Sequence, residues 1–207
     1  MLFETDNNDF SPDSVDRARP LVAIWGDSTA SALVRGFRKL HKTTPFGIAQ
    51  FTVASCSPVL VPHPPLTELC VQRNQNIAHR IADASPDLVI LEAIWNGDDN
   101  AEMLKPSIEA LRKSGIHKII MLGTVPVWLR KLPEVVATYY RRTGKFIPAR
   151  VDAYYDKHAS DSWMEPAAHE LGVQFISIWK LWITQIEPTS RDPSSAWQTC
   201  PPILSTG

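Results

Sequence analysis

Along the 207 residues, apolar positions follow two different rhythms. Short unbroken apolar runs occur at LVAIW (21–25), FGIAQFTV (46–53), DLVILEAIW (87–95), KIIMLGTV (118–125) and VQFISIW (173–179). Runs of this length suit strands buried on both faces, as in a parallel sheet. The intervening stretches switch to helical spacing. The first helix is predicted to start near Ser28, with Leu33, Phe37 and Leu40 at i, i+4 and i+7 on its apolar face. A second runs from about Thr67, with Cys70, Ile77 and Ile81 on one stripe. A third, NAEMLKPSIEALRKSG, ends at Gly115 after basic residues in its last turn. From Pro133 to Leu171 the pattern is helix-rich but interrupted by Gly144, Pro148 and Pro166. Five strands separated by helices predict a three-layer α/β/α sandwich around a five-stranded parallel sheet, with right-handed crossovers placing helices on both faces.

The two ends of the chain lack this pattern. Residues 1–19 are polar and acidic and read as a linker or terminal arm, leaving 20–207 as the folded domain. After Trp182 the sequence is turn-rich and carries four prolines. No apolar run approaches the roughly 18 residues that a membrane span needs, so no direct membrane insertion is expected. The first twenty residues also lack the basic start and apolar stretch of a signal peptide. Charge is nearly balanced, with 21 Lys and Arg against 22 Asp and Glu, which argues against nucleic acid as a partner. Taken alone, these features describe a soluble cytosolic chain.

Three cysteines complicate that description. Cys56 and Cys70 flank the Pro-rich SPVLVPHPPLTEL, a loop that a disulfide could close, and Cys200 is left over. Three unpaired thiols are the equally simple alternative. The His, Cys and Asp residues of CVQRNQNIAH and DKHASD lack the paired spacing of a zinc site, and no Gly-rich phosphate loop is present. Neither a metal nor another cofactor is therefore expected. Of seven tryptophans, Trp25 and Trp95 stand at strand ends, where they are expected to line a cleft, whereas Trp179 and Trp182 fit core packing. Arg141, Arg142, Lys145 and Arg150 form a local basic patch that reads as a solvated helix face.

The chemistry of the chain centres on Gly26-Asp27-Ser28, where the first apolar run gives way to a helix. A serine there is exposed at a strand end while the free N–H groups of the first helical turn point toward it. Those donors can stabilise an oxyanion, and Gly26 permits a tight turn. The simpler reading makes Asp27 or Ser28 an ordinary N-cap.

The block WGDSTASAL resembles the WGDSHA-x-x-L block of the SGNH (GDSL-like) hydrolases, specifically the SGNH domains fused to bacterial acyltransferase-3 membrane proteins, with Thr29 where His is common. FTVASCSPVL is similar to the second block of that group, in which Cys-x-Pro follows the second strand. CVQRNQNIAHRI resembles the helix that follows, and SPDLVILEAIWNG the third-strand block. The resemblance covers roughly residues 20–200.

The resemblance implies that Ser28 is a nucleophile. It assigns the oxyanion to the backbone N–H of Ser28, an N–H near Ser55 and the amide of Asn96, with Asp27 and Trp95 lining the site. The implied reaction is transfer of an acyl (acetyl) group to a bacterial surface glycan through an acyl-enzyme, with the acyltransferase-3 membrane domain as partner in the parent protein. A carbohydrate esterase and a non-catalytic glycan-binding module are the alternatives. The implied location is the periplasmic or extracellular face of the inner membrane, and that oxidising compartment favours a bridge between Cys56 and Cys70. Family members carry a late Asp-x-x-His that supplies the base. No histidine of this chain has an aspartate three residues before it. The chain therefore reads as a shortened SGNH domain, impaired by loss of that block. His158 and His169 are the candidate substitute bases.

Overall fold

The computed structural model describes residues 18–62, 66–95, 101–125, 127–128, 131–146, 154–155 and 161–181. The elements in chain order are β1 (Leu21–Gly26), α1 (Ser28–His41), β2 (Gly47–Thr52), α2 (Glu68–Ala84), β3 (Leu88–Glu92), α3 (Ala101–Lys113), β4 (Ile119–Leu122), β5 (Val127–Trp128), α4 (Leu132–Thr143), β6 (Tyr154–Tyr155), α5 (Asp161–Glu170) and β7 (Gln174–Ile176). Each of the five apolar runs contributes a strand to one sheet, in the order β2-β1-β3-β4-β7, and every neighbouring pair is parallel. The three-layer α/β fold with a five-stranded parallel sheet is the one its periodicity predicts. Of the arm expected over 1–19, only Ala18 and Arg19 are described.

The described residues fall into two compact units. The first, up to Val125 and again over 161–178, holds the sheet with α1, α2, α3 and α5. Alternate residues of each strand serve opposite layers. Ala23 and Trp25 of β1, Ala49 and Phe51 of β2 and Val89 and Leu91 of β3 pack with residues of α2, α3 and α5 into the main core. Ile24 and Ile48 pack on the other face with Ala30 and Val34 of α1. Fully burying one such side chain stabilises the fold by about 1.5–3 kcal/mol. The second unit holds the antiparallel pair β5–β6 and the helix α4, which stops at Gly144.

Two local expectations are corrected. The inward face of α1 is Ala30–Val34 with Phe37 partly buried, not Leu33–Phe37–Leu40, and Leu40 is 50% exposed. The reason is proximity: α1 starts so close to β1 that only a side chain as small as Ala30 fits over Gly26, which sets the rotation of the helix. Pro166 does not interrupt α5, which runs through it to Glu170. The carbonyl that loses its helical donor belongs to Ser162, an exposed residue of the first turn, where the loss is least costly.

Candidate active site

β1 lies at the centre of the topology, since the chain leaves it to build β2 on one side and β3 on the other. Loops at the carboxyl ends of strands diverge at such a switch point and leave a crevice. Ser28 stands there as the first residue of α1, exposed, and among the described residues nothing hydrogen-bonds its hydroxyl. Asp27 before it is the N-cap, with extended backbone and Oδ1 accepting the N–H of Thr29 at 2.7 Å. The cap reading and the nucleophile reading therefore fall to different residues: Asp27 caps, and Ser28 is free.

Glycine at 26 is a steric requirement. A Cβ there would stand 1.6 Å from the backbone oxygen of Glu92 and 2.8 Å from the Cβ of Ala30. The same close approach lets Asp27 N–H donate to the Glu92 carbonyl at 3.3 Å.

The loop after β2 comes to the same edge. Val53 N–H donates to the Gly26 carbonyl at 3.0 Å, and Cys56 N–H closes a turn onto the Val53 carbonyl at 3.2 Å. Within that turn Ser55 is exposed with φ +59°, a conformation in which a non-glycine residue carries strain. The loop keeps a backbone suited to glycine although its residue is serine. Three ties hold it. A disulfide joins Cys56 to Cys70 of α2, with Cα atoms 5.5 Å apart. Asn74 donates to the carbonyls of Ser57 at 2.7 Å and Val59 at 2.9 Å, and Ser107 of α3 donates to Pro58 at 2.8 Å.

The loop after β3 supplies Ile94, whose N–H donates to Asp27 Oδ2 at 3.0 Å. Asn96 lies outside the described residues. Trp95 does not line the cleft: it is 1% exposed, with its ring N–H donating to the Leu122 carbonyl at 2.8 Å. Trp25 is likewise fully buried and donates to Asn74 Oδ1 at 3.1 Å. Alternation along β1 turns Trp25 into the main core, the loop after β3 places Trp95 there too, and each indole finds an acceptor for its one donor.

One residue of this edge escaped the sequence reading. Glu92 ends β3 fully buried, with Oε1 and Oε2 at 2.8 and 2.9 Å from Thr29 Oγ1. Burial pushes its carboxyl up to about 8, against the hydrogen bond to Thr29 and with the charge of Asp27 adding to the rise. The available signal was an acidic residue inside the otherwise apolar run LVILEAIW. Among the described residues no three His, Cys, Asp or Glu side chains converge as metal ligands would.

The family described as SGNH domain (fused to AT3 domains) matches residues 3–192. The chain belongs to that family. The periplasmic domain of a lipopolysaccharide acetyltransferase from Salmonella ser. Paratyphi A superposes with a TM-score of 0.67 at 22% identity, over 77% of this chain and 66% of that one. That likeness concerns the fold. An ABC transporter permease from the Pseudomonas fluorescens group matches with a TM-score of 0.36 at 12% identity, over 78% of this chain and 42% of that one, too low to carry an argument. No curated protein matches the chain.

Within this SGNH domain the described histidines lie away from Ser28. His41 ends α1, His117 precedes β4 and His169 sits in the last turn of α5, all toward the amino ends of the strands. His79 is exposed in the later part of α2. A helix of ten residues is about 15 Å long, so His169 is a helix length from the edge that carries Ser28. His63 and His158 lie outside the described residues, as does Cys200. A buried acid does reach the carboxyl edge: Asp161 opens α5, accepts a short hydrogen bond from Ser177 through Oδ2, and has no partner for Oδ1 among the described residues.

Proposed function

We propose that Ser28 is the nucleophile of an acyl-transfer reaction on a bacterial surface glycan, and that the chain is the periplasmic portion of a membrane acyltransferase. The observation that carries the reading is the exposed Ser28 at the head of a 14-residue helix in an SGNH domain. Oγ attacks the acyl carbonyl and its proton passes to a base. The tetrahedral oxyanion takes N–H donors from the first turn of α1 and the Ser55 turn, where the helix dipole also favours negative charge. Collapse expels the donor's leaving group, which takes up a proton, and leaves acyl-Ser28. A sugar hydroxyl then attacks the acyl carbon, gives up its proton and restores Ser28. Water in place of the sugar makes the same site an esterase.

Several findings support the setting. The family is described as fused to AT3 domains, which supports the acyltransferase-3 membrane domain as the partner, and in this reading that domain is the acyl source. The structural neighbour is described as the periplasmic domain of a lipopolysaccharide acetyltransferase. The Cys56–Cys70 disulfide fits an oxidising compartment, and no described helix is long and apolar enough to cross a membrane.

A second reading has its own observation. The 207 residues contain no Asp-x-x-His, and no described histidine stands at the Ser28 edge, so the fold could serve as a glycan-binding module. Incubating the chain with an activated acetyl ester and mapping the adduct decides between them. The expected result is slow acetylation confined to Ser28, with turnover several orders of magnitude below a serine hydrolase that retains its base. Ser28→Ala should abolish the adduct and leave the thermal transition within a few degrees, since Asp27 and not Ser28 makes the cap bond and an exposed substitution of this kind changes stability by about 0.5 kcal/mol or less. Labelling elsewhere, or labelling that survives Ser28→Ala, overturns the nucleophile assignment. Glycan binding without acylation establishes the module.

A further inference from the structure

The first turn of α1 sets a proton-counting problem. Thr29 Oγ1 is 2.6 Å from Asp27 Oδ1 and 2.8 and 2.9 Å from the two oxygens of Glu92. A hydroxyl has one hydrogen and donates once. If both acids were ionised, one of them would press its oxygens against the hydroxyl's lone pairs with no hydrogen between. One carboxyl must therefore hold a proton and donate to Thr29.

The remaining partners say which. Asp27 accepts the backbone N–H of Thr29 at 2.7 Å and of Ile94 at 3.0 Å, and it sits at the positive end of α1, all of which stabilise a carboxylate. Glu92 is fully buried, and among the described residues its carboxyl meets no donor other than Thr29. We propose that Glu92 is a neutral carboxylic acid that donates to Thr29, that Thr29 passes its own hydrogen to Asp27, and that this chain of bonds makes Glu92 a positioning residue for the turn bearing Ser28.

The surroundings agree. β1 (LVAIWG), β4 (IIML) and the first turn of α1 present no titratable side chain, and Asp27 is the charged group that bears on Glu92 among the described residues. The carboxyl is pushed up to about 8, chiefly by burial, so it is protonated at neutral pH. In mildly alkaline solution two carboxylates would share one hydroxyl hydrogen, and the turn between them would loosen. The functional meaning of this device rests on Ser28 being the nucleophile; the placement of the proton does not.

The test uses the full chain with carbon-13 at the glutamate carboxyls. The Glu92 carboxyl, assigned through its own backbone resonances, should titrate near pH 8, far above its ordinary value. Hydrogen exchange at pH 7 reads the positioning. Glu92→Gln retains a donor for Thr29 and should leave the Thr29 and Ile94 amides nearly as protected as in wild type. Glu92→Ala should speed their exchange by about tenfold, the effect of removing the buried partner of the Thr29 hydroxyl. Above pH 8, Ser28 acylation in the wild type should fall relative to Glu92→Gln. A Glu92 carboxyl that titrates in the ordinary range overturns the proposal, as do Thr29 and Ile94 amides indifferent to Glu92→Ala. If the variants fail to fold, the wild-type titration still decides the proton. Absence of Ser28 acylation at every pH, with Glu92 titrating near 8, sinks the nucleophile reading instead.

Discussion

Asp27 Oδ2 accepts the backbone N–H of Ile94 at 3.0 Å, across 67 positions of sequence. Because Oδ1 of the same side chain caps α1, one carboxylate ties the loop after β1 to the loop after β3. At an ordinary N-cap, Asp and Asn are nearly interchangeable. Here they should not be, since Asn offers one accepting oxygen where the structure uses two. Asp27→Asn is expected to cost about 1 kcal/mol, the net worth of one hydrogen bond lost at a part-buried N–H. Urea unfolding of the variant measures it, and a loss within a few tenths of a kcal/mol would reduce Asp27 to a simple cap.

Gly26 and Gly36 should respond to alanine in opposite directions. At Gly26 the added methyl meets the Glu92 backbone oxygen, and a strand backbone in mid-sheet has little room to retreat. Gly26→Ala should destabilise by about 3 kcal/mol or more, the upper range of forced overpacking. Gly36 lies within α1, where a Cβ meets nothing within 4 Å. Gly36→Ala should stabilise by about 0.5–1 kcal/mol through helix propensity and reduced freedom of the unfolded chain. Paired thermal denaturation checks both.

Reduction of the disulfide should weaken the fold and release the Ser55 turn. A bridge closing a loop of 14 residues is worth about 3 kcal/mol. The Cys56→Ser/Cys70→Ser variant should lose that amount in urea and become indifferent to reductant. If the wild type unfolds at the same urea concentration with and without reductant, the bridge carries no stability.

Stability should fall as pH rises from about 4.5 to about 8, through Glu92. Its carboxyl ionises near 4.5 when unfolded and near 8 when folded, so within that window the unfolded chain binds fewer protons than the native one. The contribution is then complete below the window, lost across it at up to about 1.4 kcal/mol per pH unit, and constant above. Other groups titrate too, so the measurement is the difference between wild type and Glu92→Gln across a pH series of urea unfolding curves. A difference that stays flat from pH 5 to pH 8 contradicts a neutral Glu92.

What the sequence determined by itself was whatever a local pattern can report. Unbroken apolar runs mark strands covered on both faces, and all five are in the sheet. Gly-Asp-Ser between a run and a helix marks a strand-to-helix turn, and it put Ser28 at the head of α1. Tertiary structure decided what depends on neighbours distant in sequence. Trp25 and Trp95 read as cleft residues because they end apolar runs, yet the alternation of β1 and the donors on their rings committed them to the core. The buried face of α1 was set by how closely Ala30 approaches Gly26, a distance no helical period encodes. Glu92 read as one acid at the end of a strand. Its meaning came from Thr29 and Asp27, 63 and 65 residues earlier, brought within reach because β1 and β3 pair as direct neighbours. A periodic pattern records whether a residue is buried, and it cannot record against what; strand order supplies that, and with it the proton that two acids and one hydroxyl must share.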